Sequence, residues 1–522
     1  MLHSLPRQLA ALALALSLYG AWLPAQTLGT IDFPTSGRAD AQAQFLRGVL
    51  YMHSFEYQSA ATAFREAQKL DPGFAMAYWG EALNYTHPVW NEQDSVAARA
   101  TLQRLAATPA TRRTKAPTAR ERGYLEAVEL LYGDGSKPRR DTLYSRAMER
   151  LSHDHPNDHD ARTFYALSLL GLSQGTRDMA TYVRAGAIAD DVFRINAHHP
   201  GAAHYVIHAF DDPIHAPLGL RAARAYSKIA PDAAHAQHMT THIFVALGMW
   251  DDVVSQNVIA SGHDHDAWRP GHYTAWLGYG MLQQGRLADA RKHLETVQGN
   301  VGTASRPPTR AYLMSMRAHY LINGERWDDP ARNWTVDASG VGPAPQAMDA
   351  FALGLAAIRR GDRSEADRRL VELVERGKRS PENDRYGANS KLPIILEKEL
   401  RAVLKFAEGS SGEALSLLRE AAAMEDAMPV EYGPPDVVKP THELLGEMLL
   451  TLKKPAEAQR EFARALELAP RRALSLLGLA RAATASGDRA TAVRAYGDLR
   501  DVWHRADAEM PALAEAKRLA AP

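Results

Sequence analysis

The sequence contains no cysteine. That excludes disulfides, thiolate metal centres and a lipid anchor on an N-terminal cysteine, and leaves packing alone to hold the fold. It also lacks any excess of charge, with 61 Lys and Arg against 61 Asp and Glu. A balanced chain sets up no global field to draw in nucleic acid or anionic lipid, so neither is an expected partner. Beyond residue 40 almost no alternating strand pattern occurs. Neither a Gly-x-x-x-x-Gly-Lys-Ser/Thr loop nor a Gly-x-Gly-x-x-Gly loop is present, and no nucleotide cofactor is expected. GLSQG (171–175) matches Gly-x-Ser-x-Gly, but ARTFYALSLLGL before it reads as helix where a nucleophile elbow needs a strand.

What is present begins with a distinct N-terminus. MLHSLPRQ places a basic residue at Arg7, LAALALALSLYGAW is apolar, and LPAQ offers small residues for cleavage after Ala25. This three-part pattern predicts a signal peptide over 1–25 and an exported chain, periplasmic or secreted. The apolar run is short and soon followed by polar sequence, so no membrane anchor is expected after cleavage. The 46% hydrophobic and 23% charged content of the chain suits a globular protein, and 522 residues exceed one ordinary core.

Ala, Leu, Tyr and Arg recur at helical spacing, interrupted every dozen or so residues by Gly or Pro. In FLRGVLYMHSFEYQSAATAFREAQKLDPGFA, the residues Gly48, Tyr51, Ala60, Phe64, Ala67 and Pro72 form a lattice. Gly446, Ala458, Phe462, Ala465 and Pro470 repeat it, and Ala480, Ala492 and Tyr496 continue it 34 residues on. The lattice resembles the tetratricopeptide repeat (TPR) consensus. The resulting expectation is an all-α, TPR-like right-handed superhelical solenoid of helix-turn-helix repeats, whose concave groove takes a peptide, a protein or a small molecule. VDASGVGPAPQ (336–346), poor in large apolar residues, reads as a linker between an N-terminal array over 40–335 and a C-terminal array over 347–522.

Eleven of the 21 histidines lie between 198 and 272. AHYVIHAF carries His204 and His208, and QHMTTHIF, 34 residues later, carries His238 and His242. Side chains four residues apart share a helix face. By resemblance to the repeat, these four and His235 fall on the inner wall of the groove, as do His53, His87, Trp79, Glu443 and Glu447. His272 lies 34 residues beyond His238 and is also read as groove-lining. Two readings fit: a site for a divalent transition metal, for which imidazoles suit Zn, Cu, Ni or Fe, or histidines that line a polar groove or pack. Asp211, Asp212 or Asp232 could orient ligand rings from behind. Neither pair has the Glu of His-Glu-x-x-His, which disfavours a zinc protease. Glu443 and Glu447 are the candidate acid/base groups if the protein is a metal-dependent enzyme. HDHD (263–266) and HDHPNDHD (153–160) read as solvated turns.

Several blocks, HSFEYQSAATAF with AMAYWGEAL, HHPGAAHYVIHAF, HAQHMTTHIF and EYGPPDVVKPTHELLGEMLL, together resemble a family of exported bacterial TPR proteins. That resemblance spans most of the mature chain. It implies a repeat scaffold and export, and assigns no chemistry.

Overall fold

The computed structural model describes residues 26–519, apart from 174–175, 264–267, 303–304, 380–390 and 431. The expected signal peptide therefore lies outside the described residues, as does most of HDHD. The described chain is a succession of antiparallel helix pairs, from Ala39–His53 with Tyr57–Leu70 to Ala473–Ser486 with Arg489–Val502. Among the described residues the strands are one antiparallel pair, Thr86–His87 with Glu92–Gln93. No described helix is long and apolar enough to cross a membrane.

The repeat lattice has a steric cause. Phe64 is fully buried, and a Cβ on Gly48 or Gly80 would approach its ring to 2.6 or 2.3 Å. The aromatic of one unit thus wedges against the glycines of its own first helix and the next one's, and only a residue without a side chain fits. Phe462 does the same between Gly446 and Gly478, with approaches of 2.9 and 2.2 Å. Each helix pair leaves an apolar face that only a neighbouring pair can cover, which makes the array continuous.

The array also closes on itself. One buried cluster runs from Leu28 to Tyr279 and takes in residues 473–516. Specific bonds fix this return: Ala473 N donates to Gln283 Oε1 at 2.9 Å, Trp250 Nε1 to the Arg471 carbonyl at 3.0 Å, and Asp507 N to the Gly285 carbonyl at 3.1 Å. The stretch 336–346 is not a free connector. Val341 and Ala344 are buried, helix Pro343–Arg359 begins inside it, and a second core joins Val254 to Val438 across it.

Candidate metal centre

The helices Pro200–Phe210 and Ala234–Ala246 are buried on every residue, because neighbours cover both their faces. His199 caps the first helix by accepting from Ala202 N at 3.2 Å, and Pro200 begins it, where a missing N–H costs nothing. Spacing of four then stacks His204 over His208, and His238 over His242. His235 lies in the first turn of its helix, and His272 starts helix His272–Gln283.

These six imidazoles form two triads. His204, His208 and His235 bring one ligand atom each to within 4.8 Å of one another, and His238, His242 and His272 do the same. Hydrogen-bond partners assign the tautomers of several rings. His204 Nδ1 donates to the His53 carbonyl at 2.7 Å, so its Nε2 carries a lone pair. His238 Nδ1 donates to Asn257 Oδ1 at 2.7 Å, and Asn257 is oriented because its amide nitrogen donates to the Val253 carbonyl at 3.0 Å. His242 Nδ1 donates to Asp211 Oδ2 at 2.9 Å. The bare Nε2 atoms of His238 and His242 then face each other at 3.2 Å. Two lone pairs at that distance repel unless a cation lies between them. Two nitrogens on one tetrahedral ion, bonded at roughly 2.0–2.1 Å, are about 3.3 Å apart.

The first triad carries the complementary sign. His204 Nε2, both nitrogens of His208 and His235 Nε2 are buried without a hydrogen-bond partner. Each such group costs about 1–3 kcal/mol relative to its solvated state. Burial is the largest influence on the rings, and neighbouring imidazoles add to it, pushing His204, His235 and His238 well below the ordinary histidine value. Burial likewise lowers His242 to about 4, against the pull of Asp211, and His272 to about 3. These rings are neutral at physiological pH, the form that ligates metals.

Asp211 follows the last residue of helix Pro200–Phe210. Its Oδ1 accepts from Arg177 Nη2 at 2.5 Å, while Oδ2 lies 2.9 Å from His242 Nδ1 and 3.7 Å from His208 Nδ1. Burial acts to raise this carboxyl, but Arg177 and the imidazoles outweigh it and hold it well below the usual range. Asp211 is therefore an ionised carboxylate behind two of the rings, as metal-ligating histidines commonly require. Asp212 holds His215 at 2.9 Å, and Asp232 receives Thr27 N. Aromatics close the pocket. Phe55 lies 4.3, 5.7 and 5.4 Å from His204, His208 and His235, Trp276 lies 4.6 Å from His242, and Tyr432 stacks on His242 at 4.6 Å. Phe55 is held at φ 54°, a left-handed conformation that a bulky residue adopts only under constraint.

The other predicted site residues lie elsewhere. Trp79, expected on the groove wall, is fully buried against Phe33, Phe45, Tyr124 and Phe164. His87 is half-buried and stacks on Tyr57 at 3.9 Å. Glu443, read as a candidate base, is fully buried and engaged by Arg472 at 2.7 and 3.1 Å and by Lys439 at 2.9 Å. Burial raises its carboxyl, but Arg472 and Lys439 more than offset that and hold it low. Glu447 pairs with Lys439. His53 is buried rather than groove-facing. Its Nε2 donates to Asp160 Oδ1 at 2.8 Å and its Nδ1 accepts from Tyr205 at 2.9 Å.

His199 Nε2 lies 3.6 Å from the same Asp160 oxygen. Because His199 Nδ1 accepts from Ala202 N, its Nε2 holds the proton. That atom and Asp160 Oδ2 are buried without a hydrogen-bond partner, so His53, Asp160 and His199 form a third group of close potential ligand atoms, one in which both nitrogens of His53 are already engaged. Asp160 and Asp158 come from HDHPNDHD, read as a solvated turn, yet both are buried. Asn257 and Phe55 were also missed: Asn257 belongs to no motif, and Phe55 lies in HSFEYQSAATAF with nothing in its spacing to single it out. A cleft of about 600 Å³ lies apart from both triads and is lined by Arg317, Trp334, Asp349 and Arg369. Its charges largely pair with one another, Arg317 with Asp349 at 2.8 Å and Arg369 with Glu365 at 2.7 Å.

Residues 41–74 match the family model described as tetratricopeptide repeat. The match covers the first helix pair, Ala39–His53 with Tyr57–Leu70, of the array. No curated protein matches it. Among solved structures it is similar to a human IFIT1 dimer with m7Gppp-AAAA, at 13% identity over 94% of this chain and 92% of that one, with a TM-score of 0.37. It is also similar to yeast Tom70, at 12% identity over 92% and 95%, with a TM-score of 0.27. Likenesses this weak support no argument about ligands.

Proposed function

We propose that this is an exported TPR protein whose buried histidine pocket holds a divalent transition metal, on a scaffold whose remaining surface binds a protein segment, peptide or small molecule. The observation that carries the metal reading is the facing pair of bare nitrogens, His238 Nε2 and His242 Nε2, at 3.2 Å, each ring pinned from behind through its other nitrogen. A hydrogen-bonded core would place a proton between them, and burial of both rings opposes that proton. An all-imidazole donor set selects Zn, Cu, Ni or Fe over Mg or Ca. Export rests on the sequence of residues 1–25. An enzymatic use of the metal has no observation in its favour, since Glu443 and Glu447 are engaged by Lys439 and Arg472.

The test is elemental analysis of protein purified without a histidine tag, beside the His238→Ala/His242→Ala double variant. Stoichiometric transition metal in the wild type, lost in the variant, is expected. Protein that stays metal-free after exposure to Zn(II) and Cu(II) overturns the reading.

A further inference from the structure

We infer that the pocket holds two ions, one in each imidazole triad, with Asp211 as the carboxylate they share from behind. The inference rests on the metal reading above and goes beyond it in nuclearity. His208 and His242 both turn Nδ1 toward the same oxygen, Asp211 Oδ2, at 3.7 and 2.9 Å, with their rings nearly perpendicular. Rings that meet through Nδ1 at one oxygen send their Nε2 atoms apart. The Nε2 of His242 goes to His238 at 3.2 Å. The Nε2 of His208, buried without a partner, is left for His204 and His235, which crowd the same space with unpartnered Nε2 atoms of their own.

A single ion at the second triad therefore leaves four buried nitrogens of the first triad unanswered. A second ion satisfies the three that ligate. The remaining one, His208 Nδ1, faces Asp211. The triads adjoin, with ring centres 5.5 Å apart from His208 to His242 and 6.4 Å from His235 to His238, so two ions would sit within a few ångströms of each other. Two divalent ions bring four positive charges against the Asp211 carboxylate, itself paired with Arg177. They require an anion between them. A metal-bound water that gives its proton to solvent supplies one as hydroxide, since a divalent ion lowers the pKa of bound water to about 7.

The test is copper titration of the untagged, metal-stripped wild type, followed by elemental analysis and electron paramagnetic resonance. Two equivalents are expected, with an integrated Cu(II) signal well below the copper content because the spins couple. His235→Ala and His272→Ala, each cutting one triad, are expected to retain one equivalent and regain a full single-ion signal. Saturation of the wild type at one equivalent overturns the two-ion inference and leaves the metal site standing. Two equivalents with a full, uncoupled signal overturn it as well, by placing the second ion elsewhere. No tight copper at all overturns the two-ion inference, and protein that takes up no Zn(II) either overturns the metal reading with it. The wild-type measurements decide even where a variant fails to fold.

Discussion

His238 and Glu443, both read from the sequence as groove-lining, are both fully buried. The Glu443 carboxylate itself is fully paired: Arg472, Lys439 and Ser475 surround it, and Arg472 reaches Tyr279 at 3.2 Å. Around the histidine helices His204, His238 and His242 are braced through Nδ1, but the inward nitrogens go unanswered. His204, His208 and His235 leave atoms unpartnered, and His238 and His242 set lone pair against lone pair. Burial alone does not mark function in a repeat array. A buried polar group that is fully paired is structural, whereas one braced from behind and unanswered in front is built for something that binds there.

The largest effect that would sharpen this contrast is Arg472→Ala. Breaking the buried pair with Glu443 is expected to cost about 3–5 kcal/mol, read as a lower urea midpoint, with metal content of the surviving folded protein unchanged. Metal lost from that folded protein would show that the two regions are not independent. Asp211→Asn is expected to act the other way, weakening metal binding about 10–100-fold by removing the carboxylate behind His242. Competition with a chelator measures it, and unaltered affinity would remove Asp211 from the site.

A smaller effect is one of pH. Burial lowers His53, His199 and His319, which stand outside both triads, to about 3 each. Below about 6.5 the unfolded chain takes up protons that the folded chain refuses, so stability is full above that pH and falls as pH drops toward 3. The slope is up to about 1.4 kcal/mol per pH unit for each histidine. Asp160, raised by burial to about 7, works in the opposite sense and offsets one of them. Arg472, near His319, opposes its protonation. Thermal melts of metal-free protein from pH 7 to 4 should show the midpoint falling, and a flat profile would contradict neutral burial. Smallest of all, Glu447→Gln at a partly exposed pair with Lys439 should change stability by less than about 1 kcal/mol and leave metal binding intact. A loss of metal there would restore Glu447 to the site.

Much of this was legible in the sequence. Gly48 with Phe64, like Gly446 with Phe462, announces the repeat because a ring packed onto a glycine leaves no room for a side chain there. The interval of 34 between His204 and His238 gives the shared face for the same local reason. Trp79 and Glu443 went astray because the repeat register assigns them to a concave wall. Phe33, Tyr124 and Phe164 cover Trp79, while the C-terminal helices return to dock on residues 250–285 and enclose Glu443 between Arg472 and Tyr279. Closure of this kind depends on contacts some two hundred residues apart, and no local spacing encodes it. Asp160 and Asn257 were hidden likewise, since a supporting residue has no fixed distance in sequence from the ring it braces.

The most direct measurement is X-ray absorption at the edge of the metal retained by the untagged protein. The account predicts a first shell of nitrogen at about 2.0–2.1 Å with the outer-shell scattering of several imidazoles. A shell made of oxygen alone, or a spectrum unchanged by His238→Ala with His242→Ala, would contradict it.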